Sequence, residues 1–322
     1  MGLRVLTFKP QTRARWPGIH LFTRISMKTT ANLTRQQFLK LGALATSAAL
    51  LPSFDVLAAK PKAIGLQLYT LRDAMAKDPD ATLKKVAEIG YKEVESFGYA
   101  DGKFFGKTPK EYAATLKGLG LTSPSGHYTT GNVVVTGKGT LKNDWERAVA
   151  DAAQIGQKYM VCAYLFPPER TKLDDYKQFA ALFNKSAEVC RAAGIQFVYH
   201  NHDFEFQTLG GQKPYDLLLA ETDPKLVKME LDLYWATFAG QDPVALFKEH
   251  PGRFPLWHIK DMEKTSERAF AEVGSGSINF QRIFDAKKTA GLTHYFVEQD
   301  VCKRPPLESI AISYKNMQKL SV

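Results

Sequence analysis

From residue 63 onward, short runs rich in β-branched and aromatic residues alternate with amphipathic stretches of roughly 12 to 20 residues, and no composition shift or Pro/Gly-rich linker divides them. Residues 64–69, 93–96, 122–127, 159–163, 196–200, 228–233, 256–260 and 295–298 read as strands. Residues 81–89, 109–119, 141–155, 173–193, 243–250 and 279–290 read as helices. Gly90, Gly120, Gly156, Gly194 and Gly291 follow the last apolar position of five of these helices, where a left-handed cap turns the chain into the next strand. Such alternation means parallel strands joined by right-handed crossovers, in an open doubly wound sheet or a closed barrel. Eight repeats in about 260 residues favour an α/β fold of the (β/α)8 type. An open sheet would carry a glycine-rich phosphate loop after its first strand, and Tyr69-Thr70-Leu71-Arg72-Asp73 contains no glycine.

The formal charge of +10 does not describe this body. Residues 1–60 hold nine Lys and Arg against the single acid Asp55, so the remainder is close to neutral and offers no extended basic surface for nucleic acid. The N-terminal excess fits a targeting segment. Thr34-Arg35-Gln36-Gln37-Phe38-Leu39-Lys40 precedes an apolar run from Leu41 to Leu51, and Val56-Leu57-Ala58 offers the small residues a signal peptidase needs. The segment resembles a twin-arginine signal with Gln36 in place of the second arginine. Residues 1–59 are thus expected to be an extension and export signal peptide recognised by the export machinery, residues 60–322 the domain, and the destination the periplasm. Met27 offers a more ordinary start than Met1. The run 41–51 is too short for a permanent anchor. Cys162, Cys190 and Cys302 are odd in number and widely spaced, and read as buried thiols.

In a parallel barrel the chemistry sits at the C-terminal strand ends. Polar residues of ligand type gather there: Glu95, His127, His200 with His202 just beyond, Asp232, His258, Lys260 and Glu298. Alternate residues face inward, so His258 and Lys260 share one side while Trp257 and Ile259 face the helices, and Glu230 should lie deeper in the barrel than Asp232. A mixed imidazole and carboxylate set suits one divalent ion, Mn, Zn, Co, Fe or Mg.

Four segments, Gly65-Leu66-Gln67-Leu68-Tyr69-Thr70-Leu71-Arg72-Asp73, Tyr199-His200-Asn201-His202-Asp203-Phe204-Glu205-Phe206, Glu230-Leu231-Asp232-Leu233-Tyr234-Trp235 and His258-Ile259-Lys260-Asp261, resemble the sugar phosphate isomerase/epimerase family, the xylose-isomerase-like TIM barrels. The resemblance covers essentially all of residues 60–322. It implies a metal held by residues on strands five to eight, here His200, Asp232, His258 and Glu298. His200 departs from the carboxylate that many members carry, which is similar to inosose-dehydratase-type relatives. It leaves Glu298 as the base beside the metal, with Lys260 adding positive charge where negative charge develops. The second acid stays open between Glu205, His202, His127 and Glu95. Glu95, His127, Trp235 and Tyr69 are expected to contact substrate, with Tyr128, Tyr164 and Tyr234 as further aromatics at the rim.

The implied activity is a metal-dependent isomerase or epimerase acting on a free sugar or derivative. The first alternative is a lyase or dehydratase performing β-elimination on a keto-sugar, keto-glycoside or inosose. Others are a non-catalytic sugar-binding barrel and metal-assisted hydrolysis. No phosphate cradle is visible, so the phosphate of the family name is not carried over.

Overall fold

The interior of the domain is organised by eight short parallel strands: β1 (Gly65–Gln67), β2 (Glu93–Ser96), β3 (Thr122–Tyr128), β4 (Tyr159–Cys162), β5 (Gln196–His200), β6 (Val227–Asp232), β7 (Leu256–Ile259) and β8 (His294–Val297). The computed structural model describes residues 63–133 and 137–322; the expected signal peptide lies outside them. Each strand pairs with its neighbours in sequence, and β8 returns to β1 through Gly65 opposite Phe296 and Leu66 opposite Val297, closing the barrel. The chain therefore folds as the (β/α)8 barrel that its alternation dictates.

Inward positions fill in layers. Tyr159, Val161, Val198, Leu256 and Phe296 form an apolar plug toward the N-terminal end of the strands. Gly65 is small because the Phe296 ring occupies its side of the barrel: a Cβ there would stand 2.5 Å from that ring. The next inward residues toward the C-terminal mouth are polar, among them Glu95, His200, Glu230, Asp232, His258 and Glu298, and all are buried. Outward positions pack against the helices: Trp257 stacks on Phe247 at 4.9 Å, and Tyr199 on Phe183 at 5.1 Å. Truncating such a buried aromatic costs about 3 to 5 kcal/mol.

The helix Leu173–Ala192 matches its expected span to within one residue, whereas three elements differ. The helix expected from 141 begins at Trp145, because Thr140 and Asn143 close a turn first. The span 279–290 divides at Ala286 into Phe280–Asp285 and Lys287–Ala290. The sixth strand, expected to run to residue 233, stops at Asp232, and Leu233–Phe238 is a short helix. Asp232 is its N-cap, and this places a turn of helix directly at the barrel mouth. After β7 a two-stranded ribbon, Asp261–Met262 with Phe270–Ala271, extends over the same end. Its base is tied by Asp261, whose carboxylate accepts backbone N–H groups from Met262, Gly274, Gly276 and Ile278.

Candidate metal centre

One ligand-type atom each from His200, Asp232, His258 and Glu298 lies within 4.8 Å of all the others. Four consecutive strands deliver them, and register aligns them: Asp232 sits opposite His258 across β6 and β7. The outer atoms of three of these residues are already committed. His200 Nδ1 lies 3.1 Å from the carbonyl of Ala163, which can only accept, so that nitrogen carries the proton. His258 Nε2 donates to Glu95 at 2.6 Å. Asp232 Oδ1 accepts the N–H of Trp235 at 2.9 Å, and the Asp232 N–H is held by Asn201 Oδ1 at 3.0 Å.

What remains on the inner side is a set of lone pairs. His200 Nε2 faces Asp232 Oδ2 at 3.3 Å, and His258 Nδ1 faces Glu298 Oε2 at 2.7 Å. With the imidazole protons turned outward, the His200 contact brings two acceptors together, and the His258 contact does so once a cation displaces the proton of Nδ1. His258 Nδ1 and Glu298 Oε2 are both buried without a hydrogen-bond partner, although Lys260 Nζ lies 2.7 Å from the same oxygen. Converging lone pairs with protons fixed outward by a carbonyl and a carboxylate are what a divalent cation requires of histidine ligands, so the residues fit the group. Two imidazoles and two carboxylates suit Zn, Mn, Co or Fe better than Mg, which favours oxygen donors alone.

The electrostatics mark the place of a positive charge: burial opposes a charge on His258, but Glu230, Glu298 and Glu95 override it and hold the imidazole charged where a cation would displace its proton. Burial opposes ionisation of Asp232 and Glu298, but Lys260 overrides it, and with the neighbouring histidines it holds both carboxyls well below the usual range. Burial, reinforced by the nearby charge of His258, pushes His200 down to about 4 and keeps it neutral. Lys260 Nζ lies 2.9 Å from Asp232, 2.7 Å from Glu298 and 2.9 Å from Asp300. Asp300 was not anticipated. The signal was present in the period-two spacing from Glu298, but residue 300 lies beyond the strand, where alternation alone gives no direction.

Other expectations need correction. Glu95 does not face substrate: it is fully buried beneath the ligand ring, where it accepts from Gln67, Ser125 and His258. His127 is close to the same layer, its Nε2 lying 2.8 Å from Glu230 and 3.2 Å from Glu95, with its ring parallel to that of His258. Glu230 is deeper than Asp232, as alternation requires. Glu205 is turned away from the ligand ring. Its carboxylate accepts from Tyr199 Oη at 2.6 Å and from the His202 N–H at 2.9 Å, and Tyr199 belongs to the outward face of β5, so Glu205 is removed from the set of second acids. Its role is to shape the turn that carries His202. Tyr128 is also withdrawn from the rim; its hydroxyl donates to Gln157 in the strand-to-helix layer.

The remaining positions lie at the mouth. His202 sets its ring edgewise against His200 at 4.8 Å and within 5.7 Å of Trp235. Tyr164 packs edgewise on His202 at 4.7 Å, and Tyr234 donates from its hydroxyl to the carbonyl of Arg268. Tyr69 is exposed, against Phe97 and under the guanidinium of Arg72. Cys162 and Cys190 are buried thiols as expected, while Cys302 is partly exposed and free.

Comparison with known proteins follows the same lines. Residues 83–318 match the family described as xylose isomerase-like TIM barrel. An inosose dehydratase of Geobacillus thermodenitrificans is 30% identical over 145 residues, covering 39% of this chain and 48% of that protein; the chain spans about half the length of the curated relatives it matches. Two solved structures described as sugar phosphate isomerase/epimerase from Parabacteroides distasonis are similar over most of their length. One is 32% identical, covering 81% of this chain and 95% of that one, with a TM-score of 0.69. The other is 29% identical, covering 80% and 98%, with a TM-score of 0.70.

Proposed function

From the premise that the chain belongs to the xylose isomerase-like TIM barrel family, we propose that it is a divalent-metal-dependent enzyme that eliminates a β-hydroxyl or alkoxyl group from a keto-sugar, keto-glycoside or inosose. The observation that carries this reading is the asymmetry of the candidate centre. Glu298 offers a buried oxygen without a hydrogen-bond partner, while His200, on the opposite side, has its second nitrogen committed to Ala163. One base suits proton removal from one face, whereas an epimerase needs a second base to return the proton from the other face.

His200, Asp232, His258 and Glu298 would hold the cation, which when bound polarises a substrate carbonyl and stabilises negative charge on its oxygen. Glu298 takes the proton from the carbon next to that carbonyl. The electron pair left behind forms the carbon–carbon double bond as the β-substituent departs. The departing oxygen receives a proton from the Lys260 and Asp300 pair, whose charged atoms are 2.9 Å apart, and leaves as water or an alcohol. Until that transfer Lys260, buried and held protonated by Asp232, Asp300 and Glu298 despite the cost of burial, supplies positive charge beside the developing oxyanion. Glu95 fixes the tautomer of His258, and Asn201 fixes the backbone of Asp232.

The inosose dehydratase relatives support elimination. The two sugar phosphate isomerase/epimerase structures support a second reading, aldose–ketose isomerisation by the same base with the proton delivered to the neighbouring carbon. The chain loaded with Mn, incubated with a panel of inososes, keto-sugars and free aldoses in deuterated water and followed by proton NMR, separates the two. Elimination yields a vinylic proton with loss of one substituent; isomerisation yields deuterium at a sugar carbon with all substituents retained. Neither signal from any member of the panel would contradict both readings. Export of the chain through its N-terminal segment is part of the proposal and favours unphosphorylated substrates.

A further inference from the structure

Half-buried aromatic rings continue along the mouth from the ligand ring, on the flank built by the loops after β4 to β7. From His202 the contacts run to Trp235 at 5.7 Å and on to Phe270 at 5.5 Å, with Phe204 stacked on the other face of His202 at 5.7 Å. These rings are unlike the core aromatics Phe183 and Phe197, which are fully enclosed. Each of the mouth rings is only partly covered; His202, Phe204 and Trp235 sit on loops or short helices at the C-terminal end of the barrel, and Phe270 on the two-stranded ribbon. Two polar atoms in this surface, His202 Nδ1 and Trp235 Nε1, are buried without a hydrogen-bond partner. An apolar platform with convergent unpartnered polar atoms marks a ligand surface more often than a packing surface.

A guanidinium stands at either end of the platform. Arg170 lies 3.4 Å over the ring of Phe204, and Arg268 lies 4.1 Å over that of Phe238, which itself packs on Trp235 at 5.8 Å. Among the described residues neither makes a salt bridge; Arg170 is anchored by its Nε donating to the carbonyl of Leu165 at 2.8 Å and its Nη2 to Tyr164 Oη at 3.4 Å, and the remaining N–H groups of the two guanidiniums can meet hydroxyl groups. Phe204, His202, Trp235 and Phe270 follow one another with centroid steps of 5.5 to 5.7 Å, a string that offers more aromatic surface than the face of one sugar ring covers.

We propose that this flank is a second sugar subsite and that the chain takes a glycoside of at least two rings, one ring at the ligand cluster and the next on the face of Trp235. The assignment rests on the carbohydrate reading above. The second ring stacks its apolar face on the platform while its hydroxyls meet Trp235 Nε1, His202 Nδ1 and the two guanidiniums. The leaving group of the proposed elimination is then an alcohol, the second sugar, and not water.

The test is calorimetric titration of the Mn-loaded chain with glucose, cellobiose, maltose and lactose, together with Trp fluorescence of the wild type and Trp235→Phe. At least one disaccharide is expected to bind about tenfold more tightly than glucose, an increment of the size one stacked ring supplies, and to quench emission that Trp235→Phe lacks. Phe270→Ala, outermost on the platform, is expected to bring the ratio of disaccharide to glucose affinity down to about one, with thermal stability confirming the fold. Equal affinity for glucose and every disaccharide, no binding of any of them, or equal loss of both in Phe270→Ala overturns the subsite. A disaccharide preference that persists in the absence of deuterium exchange or elimination with any substrate would retain the subsite and reject the proposed chemistry, so the two failures are distinguishable.

Discussion

Two four-residue clusters share His258 and are built from the same residue types, yet they dispose of their protons in opposite ways. The upper one, His200, Asp232, His258 and Glu298, turns its imidazole protons outward to Ala163 and Glu95 and leaves lone pairs facing one another. The lower one, Glu95, His127, Glu230 and His258, turns its protons inward. There Nε2 of His258 donates to Glu95, and Nε2 of His127 lies 2.8 Å from Glu230. Burial opposes the charge on His127, but Glu95 and Glu230 override it and raise its pKa to about 9, so a proton balances the buried carboxylates of the lower cluster. Glu230 Oε1 is the lower cluster's one atom without a partner, apart from the shared His258 Nδ1. A list of ligand-type side chains does not separate a metal site from a proton-satisfied network; the direction of each imidazole proton does.

The largest expected effect comes from the shared residue. His258→Ala should abolish metal binding and also lower stability by about 3 to 5 kcal/mol, because it strands Glu95 and Glu298 in the barrel. Isothermal titration with Mn and chemical denaturation read the two losses separately, and a variant that lost only one of them would break the link between the clusters. Glu298→Gln should cut turnover by about 10²- to 10⁴-fold with the fold intact. Glu95→Gln, which weakens the acceptor behind His258 and alters the contacts to Gln67, Ser125 and His127 with it, should weaken the metal by about 10- to 100-fold, and unchanged affinity would mean that the lower layer does not orient the upper.

The smallest effect is a baseline from outside both clusters. Burial lifts the carboxyl of Glu205 to about 7, so the folded state holds its proton more tightly than the unfolded chain does. Its contribution to stability is present below about pH 4.5 and is lost as pH rises through 7. The lost amount is of the order of 3 kcal/mol, before any compensation by neighbouring groups. Glu205→Gln should flatten that part of the pH–stability profile, measured by denaturant titration, equally with and without metal; flattening that depends on metal would place Glu205 in the centre after all.

Much of this was legible in the chain because parallel barrels repeat two simple periods. Alternation placed all eight strands to within about two residues, and the polar strand ends marked Glu95, His127, His200, Asp232, His258, Lys260 and Glu298 as one group, within which the family resemblance implied His200, Asp232, His258 and Glu298 as ligands. Depth was not legible. Glu95 and Asp232 both read as strand-end acids, but β2 continues to Ser96 and sets Glu95 beside Gln67 and Ser125, one layer down. Which layer an inward residue joins depends on the stagger between strands, and a one-dimensional pattern does not carry it. Glu205 was misread because the turn Phe204–Phe206 sends its side chain back under β5, a choice made by the hydrogen bonds of Tyr199 and His202. The short helix Leu233–Phe238 was not anticipated, although Asp232 has the capping capacity that starts it one residue before the expected strand end.

The most direct test is the metal content of the purified chain after loading with Mn or Zn and exhaustive dialysis, measured by mass spectrometry for wild type, Asp232→Asn and His127→Gln. The expected result is one ion per chain in the wild type, close to none in Asp232→Asn, and one in His127→Gln. Two ions in the wild type, or an ion lost with His127 and kept without the Asp232 carboxylate, would contradict the assignment of the cation to the upper cluster.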